Sequence, residues 1–330
     1  MCRRWSNPPL LLPAGRGGFH NRLMSTNQPA TSGDPDANGP SARFLPSFRV
    51  AVAQIEPSLG DTSANLALHR KQIEAARAAG ADLVVFPELS LTGYELRDHV
   101  CDVAERRDGL SLRAVAAAAG ELAVVVGFVE EDRAAGFYNA SAFVDRGRVE
   151  HVHRKVYLPT YGMFEESRYF ASGARVRGFE TRFGRIGILV CEDAWHLSTA
   201  VILQADAIDL LIIVSNSPGR GVGGEELGSR VSWDHLIRTY AMFLRVPVVF
   251  ANRVGYEEGV NFWGGSVILD AAGCVVAEAP ELEPALIVGE VDPLLTRRQR
   301  ILAPLGRDER LHLTLRELKR IDDERMRHDG

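Results

Sequence analysis

The pattern of apolar and polar positions becomes regular at FRVAVAQIEP, where β-branched residues alternate with others and predict a strand. The next segment, DTSANLALHRKQIEAARAAG, places Leu66 and Ile73 on one face, which predicts a helix. Asp61 or Thr62 is a suitable N-cap for it and Gly80 a suitable end. The apolar run ADLVVFPEL follows and is stopped by Pro87. The ordered part of the chain therefore begins as a β-α-β unit.

The alternation of helices and strands continues to about residue 300. Helix–strand pairs are predicted in LSLRAVAAAAGELAVVVGFVEE, LSTAVILQADAIDLLIIVSNSP and ELGSRVSWDHLIRTYAMFLRVPVVFANRVG. Strand pairs are predicted in FYNASAFVDRGRVEHVHRKV, ETRFGRIGILVCED and GGSVILDAAGCVVAEAP, and ALIVGEVD is a last strand. Because several strand pairs are hairpins, we predict an α/β fold with mixed sheets covered by helices. The predicted single domain spans 47–300, and 301–330 is a C-terminal extension with a charged helix over 308–325.

The N-terminal segment differs in composition from the rest of the chain. Residues 1–46 are rich in Pro, Gly, Ser, Asn and Ala and have few apolar side chains, so we predict a disordered tail. Residues 1–33 lack acids and carry four arginines, which makes a transit peptide a minor alternative. Met24 opens an ordinary disordered start, so 1–23 are also a candidate over-extended gene start.

Composition and charge narrow the classes of partner. The net charge of −5 and the lack of a basic run interleaved with aromatics argue against nucleic acid and anionic lipid. No apolar stretch approaches the about 18 residues that a membrane span needs. The four cysteines are far apart and form no CxxC pair, so we expect free thiols in a reducing cytoplasmic compartment.

Three apolar strands each run into a side chain that can take part in acyl transfer. LVVFPEL reaches Glu88, EHVHRKVYLP carries Lys155 and RIGILVCEDAWH reaches Cys191. In α/β folds, active groups gather at strand ends, where loops expose them. Amide cleavage by a thiol needs a nucleophilic sulfur, a base for its proton and a positive partner for the oxyanion. These residues supply one of each, and the ammonium of Lys155 is expected to lower the thiol pKa.

Each of these residues also has an ordinary structural interpretation. Cys191 fits a buried core cysteine, Glu88 an acid at a helix N-terminus and Lys155 a strand-edge charge that deters aggregation. Glu166, in FEESRYF, fits either a solvated loop charge or a group that orients Lys155. Because the three strand-end residues occur together, we favour the catalytic interpretation.

Three histidines and a carboxylate make a metal-binding site a weaker alternative. His151 and His153 lie two apart on one strand and share a face, and Asp193 and His196 follow Cys191 closely. Zinc ligand sets usually show tighter helical or knuckle spacing. We therefore predict no metal site.

A glycine-rich segment raises a different class of function. In SPGRGVGGEEL, Gly219, Gly221 and Gly224 match the G-x-G-x-x-G pattern of a dinucleotide loop, which would make the chain a nicotinamide-binding oxidoreductase. Four residues, SNSP, separate the strand from this loop, and the next strand ends in Asn and Arg, not in an acid that would hold a ribose. We favour a flexible pocket loop and expect no cofactor.

The three strand-end segments together resemble a known family. VVFPELSLTGYELRD, HRKVYLPTYGMFEESRYF and GRIGILVCEDAWH resemble the glutamate, lysine and cysteine motifs of the nitrilase superfamily of carbon–nitrogen hydrolases, in the same order. LIIVSNSP, ANRVG and GGSVILDAAGCVVAEA are similar to later segments of that family, so the resemblance covers 47–300. LPTYGMFEESRYF and CEDAWH most resemble the glutaminase domain of glutamine-dependent NAD synthetase, although the SGGxDS nucleotide loop of the synthetase half does not occur in this sequence.

The resemblance implies a four-layer α-β-β-α sandwich, commonly paired into a homodimer or higher homo-oligomer. It implies Cys191 as a nucleophile that forms a thioester, Glu88 as general base and Glu166 as a supporting second glutamate. Lys155 and the backbone N–H of Glu192 would form the oxyanion site.

The resemblance also implies residues that bind the substrate. Besides Glu192, Tyr94, Tyr161 and Ser217 match residues that help to hold glutamine, and Arg220 is a candidate for its carboxylate. We expect a thiol-dependent amidase that hydrolyses a small linear amide or carbamoyl compound to an acid and ammonia. The alternatives are an ammonia-donating glutaminase subunit for a separate synthetase partner and a catalytically silent binding module.

Overall fold

The strands predicted from the sequence form two large sheets in the computed structural model, which describes residues 45–223 and 226–328. The predicted disordered tail therefore lies, except for its last two residues, outside the described residues. In chain order the strands are β1 (Phe48–Gln54), β2 (Leu83–Val85), β3 (Ala123–Glu131), β4 (Phe137–Asp145), β5 (Arg148–Arg154), β6 (Gly178–Thr181), β7 (Gly184–Val190), β8 (Leu210–Ser215), β9 (Val222–Gly223), β10 (Glu226–Leu227), β11 (Val248–Asn252), β12 (Val254–Glu257), β13 (Val260–Trp263), β14 (Val267–Leu269), β15 (Val275–Glu278) and β16 (Ala285–Val291).

The helices lie between these strands and after the last of them. They are α1 (Thr62–Ala78), α2 (Val100–Val103), α3 (Leu110–Ala119), α4 (Glu166–Tyr169), α5 (Leu197–Ala205), α6 (Gly228–Leu244), α7 (Pro293–Leu302), α8 (Leu305–Asp308) and α9 (Leu311–His328). Single 3₁₀ turns occur at Arg97–His99 and Cys191–Trp195. No helix in the described part of the chain combines the length and the apolar character needed to cross a membrane.

The two large sheets have the same mixed construction. The first has the strand order β16-β1-β2-β3-β4-β5, and the second β15-β14-β11-β8-β7-β6. The central strands are parallel in each sheet, β1 with β2 and β3, and β11 with β8 and β7. The outer strands are antiparallel, and the hairpins β4–β5 and β14–β15 confirm two of the strand pairs predicted from the sequence.

Alternation along the central strands explains the layers. On one face of each sheet, side chains such as Val52 and Val85 meet Ile188 and Ile212 of the other sheet in a shared core. On the opposite face of the first sheet, residues such as Val84 pack against α1 and α3. The second sheet packs its outer face against α5 and α6 in the same way. Because each sheet is buried on both faces, the fold is the predicted four-layer α-β-β-α sandwich.

The glycine-rich segment does not form a dinucleotide loop. Gly219 donates its N–H to Asn261 O, Gly221 has φ +65°, and β9 then pairs with β10 before α6 begins at Gly228. Gly224 lies outside the described residues. A dinucleotide fingerprint requires the glycine turn to lead directly into a helix N-terminus. The pairing of β9 with β10 stands between Gly221 and the start of α6, so the described residues give the oxidoreductase alternative no support.

Candidate active site

The three predicted reactive residues come from the ends of strands in both sheets. Glu88 lies in the turn after β2, and Lys155 follows β5 directly, both in the first sheet. Cys191 follows β7 in the second sheet. The Nζ atom of Lys155 donates to Glu88 Oε1 at 2.8 Å, and the charges of both residues act on the thiol of Cys191. Residues that are remote in the chain therefore meet at one point between the sheets.

Lys155 is fully buried between two carboxylates. Its Nζ atom also donates to Glu166 Oε1 at 2.6 Å, and Glu166 is itself buried at the start of α4. The hydroxyl of Tyr94 donates to the same Glu166 oxygen at 2.6 Å. The ordinary interpretations of Lys155 as a strand-edge charge and of Glu166 as a solvated loop charge are therefore wrong.

The Glu88 carboxylate is held on both oxygens. Asn139 Nδ2 donates to Oε1 at 2.8 Å, and the backbone N–H of Asn216 donates to Oε2 at 2.7 Å. Neither asparagine was identified from the sequence. Asn139 interrupts the apolar alternation of FYNASAFV, which was the one available signal. These bonds fix the carboxylate beside Lys155 and leave it little rotational freedom.

The electrostatics differ from the expectation of an activated thiolate. Burial raises the pKa of the Cys191 thiol, the charge of Glu88 raises it further, and Lys155 lowers it by less. The thiol is therefore protonated at neutral pH. Burial also raises the pKa of Glu166 to about 7, against the opposing effect of Lys155. Burial opposes the charge of Lys155 itself, but the carboxylates of Glu166 and Glu88 raise its pKa well above the usual range, so it stays an ammonium.

The backbone at Cys191 has an unfavourable conformation for a side chain. Cys191 has φ +47° and opens the 3₁₀ turn that follows β7. A left-handed conformation costs a non-glycine residue roughly 1–2 kcal/mol, and such strain clusters at functional sites. Cys191 remains partly exposed, and Ser215 Oγ donates to its sulfur at 3.3 Å. The sharp turn thus places the buried thiol at the end of the strand, while the residue as a whole keeps some exposure.

The residues expected to bind the substrate lie at different depths. Tyr161 is exposed, and its hydroxyl donates a hydrogen bond to Glu192 Oε2 at 2.7 Å. Glu192 is the residue that follows Cys191 in the chain. Ser217 is buried, and its Oγ accepts from the indole N–H groups of Trp233 at 2.9 Å and Trp263 at 3.2 Å. Two acceptor positions of this hydroxyl are therefore occupied by the protein. Tyr94, as described above, is bonded to Glu166.

Arg220 lies close to Tyr161. Its guanidinium stacks over the ring of Phe164 at 4.3 Å, and Phe164 contacts Tyr161 edge to face with ring centroids 5.7 Å apart. The charge of Arg220 also acts on the Tyr161 hydroxyl, although burial and the bond to Glu192 raise the pKa of that group to about 12. A carboxylate, that of Glu192, and a cation, that of Arg220, therefore both lie near the hydroxyl of Tyr161.

The four residues considered as metal ligands do not form one cluster. His153 Nε2 bonds to Asp193 Oδ2 at 2.8 Å, whereas His151 stacks on Phe179 and His196 stacks on Tyr157. Among the residues that the structure describes, no group of three or more His, Cys, Asp or Glu side chains could hold a metal ion. The geometry gives the metal alternative no support.

The chain is similar to a known family and to several known proteins. The family model described as carbon-nitrogen hydrolase matches residues 49–301. The chain is 34% identical over 256 residues to glutamine-dependent NAD(+) synthetase from Thermotoga maritima, a match that covers 74% of this chain and 42% of the synthetase.

Solved structures similar to this chain include a synthetase of the same kind and an amidase. Glutamine-dependent NAD+ synthetase from Acinetobacter baumannii in complex with adenosine diphosphate has a TM-score of 0.67 and 30% identity, covering 76% of this chain and 46% of that one. This chain therefore spans less than half the length of the two synthetases. An amidase from Nesterenkonia sp. has a TM-score of 0.69 and 25% identity, covering 82% of this chain and 95% of the amidase.

Proposed function

Because the chain belongs to the carbon–nitrogen hydrolase family, we propose that it is a cysteine-dependent amidase that hydrolyses a small linear amide or carbamoyl compound to an acid and ammonia. The observation that carries the proposal is the buried contact of 2.8 Å between Lys155 and Glu88, beside the thiol of Cys191. A carboxylate, an ammonium and a thiol that lie together support this proposal, because acyl transfer through a thiol requires a base, a cation and a nucleophile at one point.

In the first half of the reaction, Glu88 takes the thiol proton while the sulfur of Cys191 attacks the carbonyl carbon. A base is needed in this step because burial keeps the thiol protonated at neutral pH. The ammonium of Lys155 and the N–H of Glu192 stabilise the oxyanion. The C–N bond then breaks, and the proton passes from Glu88 to the leaving nitrogen. Ammonia departs, and the acyl group remains on Cys191 as a thioester.

In the second half, Glu88 takes a proton from water, and the resulting hydroxide attacks the thioester carbonyl. The C–S bond breaks, the acid is released and the proton returns to the sulfur. Glu166 and Tyr94 do not exchange protons with the substrate in this scheme. Their hydrogen bonds hold Lys155 in place and balance its charge.

Glu88→Gln is expected to trap the acyl intermediate. Glutamine keeps the shape of the side chain but cannot accept a proton. Formation of the thioester therefore slows, and its hydrolysis, in which the base must activate water, a poorer nucleophile than the thiol, slows further, by about 10²- to 10³-fold. Intact-mass analysis after incubation with a panel of small amides should show an adduct of the acyl group alone, without the amine. The mass of that adduct identifies the substrate class.

The control for this experiment is Glu165→Gln, an exposed neighbour of the site whose nearest ion pair is a loose one to Arg168 at 3.9 Å. It should turn over amides at the wild-type rate and accumulate no adduct. If Glu88→Gln hydrolyses every tested amide as fast as the wild type, Glu88 is not the base and the proposed mechanism fails.

A second candidate function is an ammonia-donating glutaminase. It is favoured by the two NAD synthetase relatives and by the presence of both Glu192 and Arg220 near the hydroxyl of Tyr161. A free amino acid carries an ammonium and a carboxylate, and an anionic and a cationic side chain near the site are complementary to that pair. The separate synthetase that would receive the ammonia belongs to this candidate function.

Arg220→Ala distinguishes the two functions. If glutamine is the substrate, losing the charge that binds its carboxylate should lower kcat/KM for glutamine by about 10- to 100-fold, as expected for a charged hydrogen bond. The value for propionamide, which has no carboxylate, should change less than about threefold. Arg168→Ala, an exposed arginine stacked on Tyr169, is the matched control. Equal effects on the two substrates would contradict the glutaminase function and leave the simple amidase.

A further inference from the structure

Asp193 is a fully buried carboxylate that the proposed mechanism does not use. Its Oδ1 atom accepts the backbone N–H groups of Val156 and Tyr157, both at 2.9 Å. Its Oδ2 atom accepts the N–H of Val190 at 3.1 Å and is 2.8 Å from Nε2 of His153. Because both oxygens accept hydrogen bonds from different segments, this side chain is held in one orientation from both sides.

The donors to Asp193 belong to the two different sheets. Val190 is the last residue of β7 in the second sheet and precedes Cys191. His153 lies in β5 of the first sheet, and Val156 follows Lys155 just beyond the end of that strand. One carboxylate therefore joins the backbone beside the nucleophile to the backbone beside the cation, across the sandwich.

His153 is buried together with Asp193. Only 2% of its side chain is exposed, and it contacts Asp193 from the strand that carries Lys155. The backbone donors can remain after a change of side chain at 153, but the imidazole bond cannot. A substitution at His153 therefore removes one hydrogen bond of Asp193 and leaves its carboxylate and its backbone donors in place.

We propose that Asp193 and His153 are positioning residues that set the distance between the Cys191 sulfur and the Lys155 ammonium; this inference rests on the proposed amidase function. The oxyanion formed by attack of the sulfur must lie within reach of the ammonium. A displacement of about 1 Å between such groups costs roughly 100-fold in rate. The pair acts on the rate of the chemical step and not on the binding of the substrate.

The test compares two replacements of His153. His153→Leu removes the hydrogen bond to Asp193, so the distance between the sulfur and the ammonium is no longer fixed. We expect kcat to fall by about 30- to 100-fold, with KM within about threefold of the wild type. His153→Gln retains an N–H donor at about the position of Nε2 and should keep kcat within about fivefold. A loss of stability alone would not separate the two variants in this way.

The matched control is His151→Leu on the same strand. His151 is partly exposed, stacks on Phe179 and lies two residues before His153. Its replacement should leave kcat and KM unchanged. If His153→Leu does not fold, the shorter amide of His153→Asn, which does not reach Asp193, takes its place, with thermal denaturation confirming that the variant is folded.

The proposal is overturned if the leucine and glutamine variants have the same kcat, or if the whole loss lies in KM. A wild-type protein that releases ammonia from no amide would contradict the amidase function instead. In that case the rate of alkylation of Cys191 by iodoacetamide, read by mass, still tests the positioning role. It should differ by about fivefold or more between wild type and His153→Leu, because displacement of Lys155 alters the ionisation of the thiol. An unchanged rate refutes the positioning role.

Discussion

Replacing Cys191 with alanine is expected to lower kcat for amide hydrolysis by about 10⁵-fold or more, because the covalent route begins on that sulfur. Ammonia release under saturating substrate measures the loss. Cys101→Ala is the control, since Cys101 is an exposed thiol on α2, outside the site, and should keep full activity. The comparison separates the role of one thiol from a general effect of removing cysteine.

The Cys191→Ala variant should also fold normally. Alanine and cysteine meet the same backbone strain at φ +47°, so the substitution does not add to it. The lost contacts are those of one sulfur atom and its bond from Ser215. Thermal unfolding within a few degrees of the wild type is the check. A folded variant that retains more than about 1% of the activity would rule out the thioester mechanism.

Replacing Lys155 with methionine is expected to have the second largest effect, on both activity and stability. Methionine fills the volume but leaves the carboxylates of Glu88 and Glu166 buried without their cation. Breaking a buried ion pair on one side typically costs about 3–5 kcal/mol of unfolding free energy. In addition, the loss of the cation that stabilises the oxyanion should lower kcat by about 10²- to 10³-fold.

The stability loss of Lys155→Met should depend on pH, with a sign that follows from Glu166. Burial already raises the pKa of Glu166 to about 7 in the presence of Lys155, and its ordinary value is 4.5. Without the lysine the pKa rises further. A group whose pKa is raised by folding contributes stability below its ordinary pKa, and that contribution is lost as pH rises through the folded-state pKa. The variant should therefore be least destabilised near pH 5 and most destabilised near pH 8.

Urea denaturation of Lys155→Met and wild type at pH 5 and pH 8 measures this difference. Lys319→Met on α9 is the control, because Lys319 is 76% exposed and pairs with Asp323 only on the helix surface. Exposed pairs of this kind contribute about 0–1 kcal/mol, so its effect should be small at both pH values. Equal destabilisation of Lys155→Met at pH 5 and pH 8 would mean that the carboxylates are not left as buried charges.

Local patterns were sufficient to predict most of the secondary structure. The α1 helix begins after Asp61, whose side chain accepts from the Ala64 N–H at 2.8 Å, and Gly80 with φ +71° follows its end. The hairpins at β4–β5 and β14–β15 were readable for the same reason, since turn residues and alternation act over a few neighbours. The hairpin β12–β13 was not predicted, because its strands of four residues each are too short for periodicity to be distinguished from loop.

The expected homo-oligomer and cytoplasmic location stay predictions, as do the domain boundaries at 46 and 300. The catalytic roles of the site residues stay predictions as well. The candidate residues themselves were available from the sequence, because three strand ends carry a carboxylate, an ammonium and a thiol in motifs that resemble those of one family. Glu88, Lys155 and Cys191 could be named without coordinates, and so could Glu166.

What the sequence by itself determined was the residue types and the elements that carry them, because these depend on short-range order along the chain. Only the tertiary structure decided that His153 bonds to Asp193 while His151 and His196 stack on other rings, since Asp193 follows a strand of the second sheet and His153 lies in the first. It likewise decided that burial outweighs Lys155 at the Cys191 thiol and raises its pKa. The burial of a side chain and the identity of its hydrogen-bond partner depend on which strands become neighbours in space. The periodicity of a sequence predicts which face of a strand is buried but not which strands lie beside it.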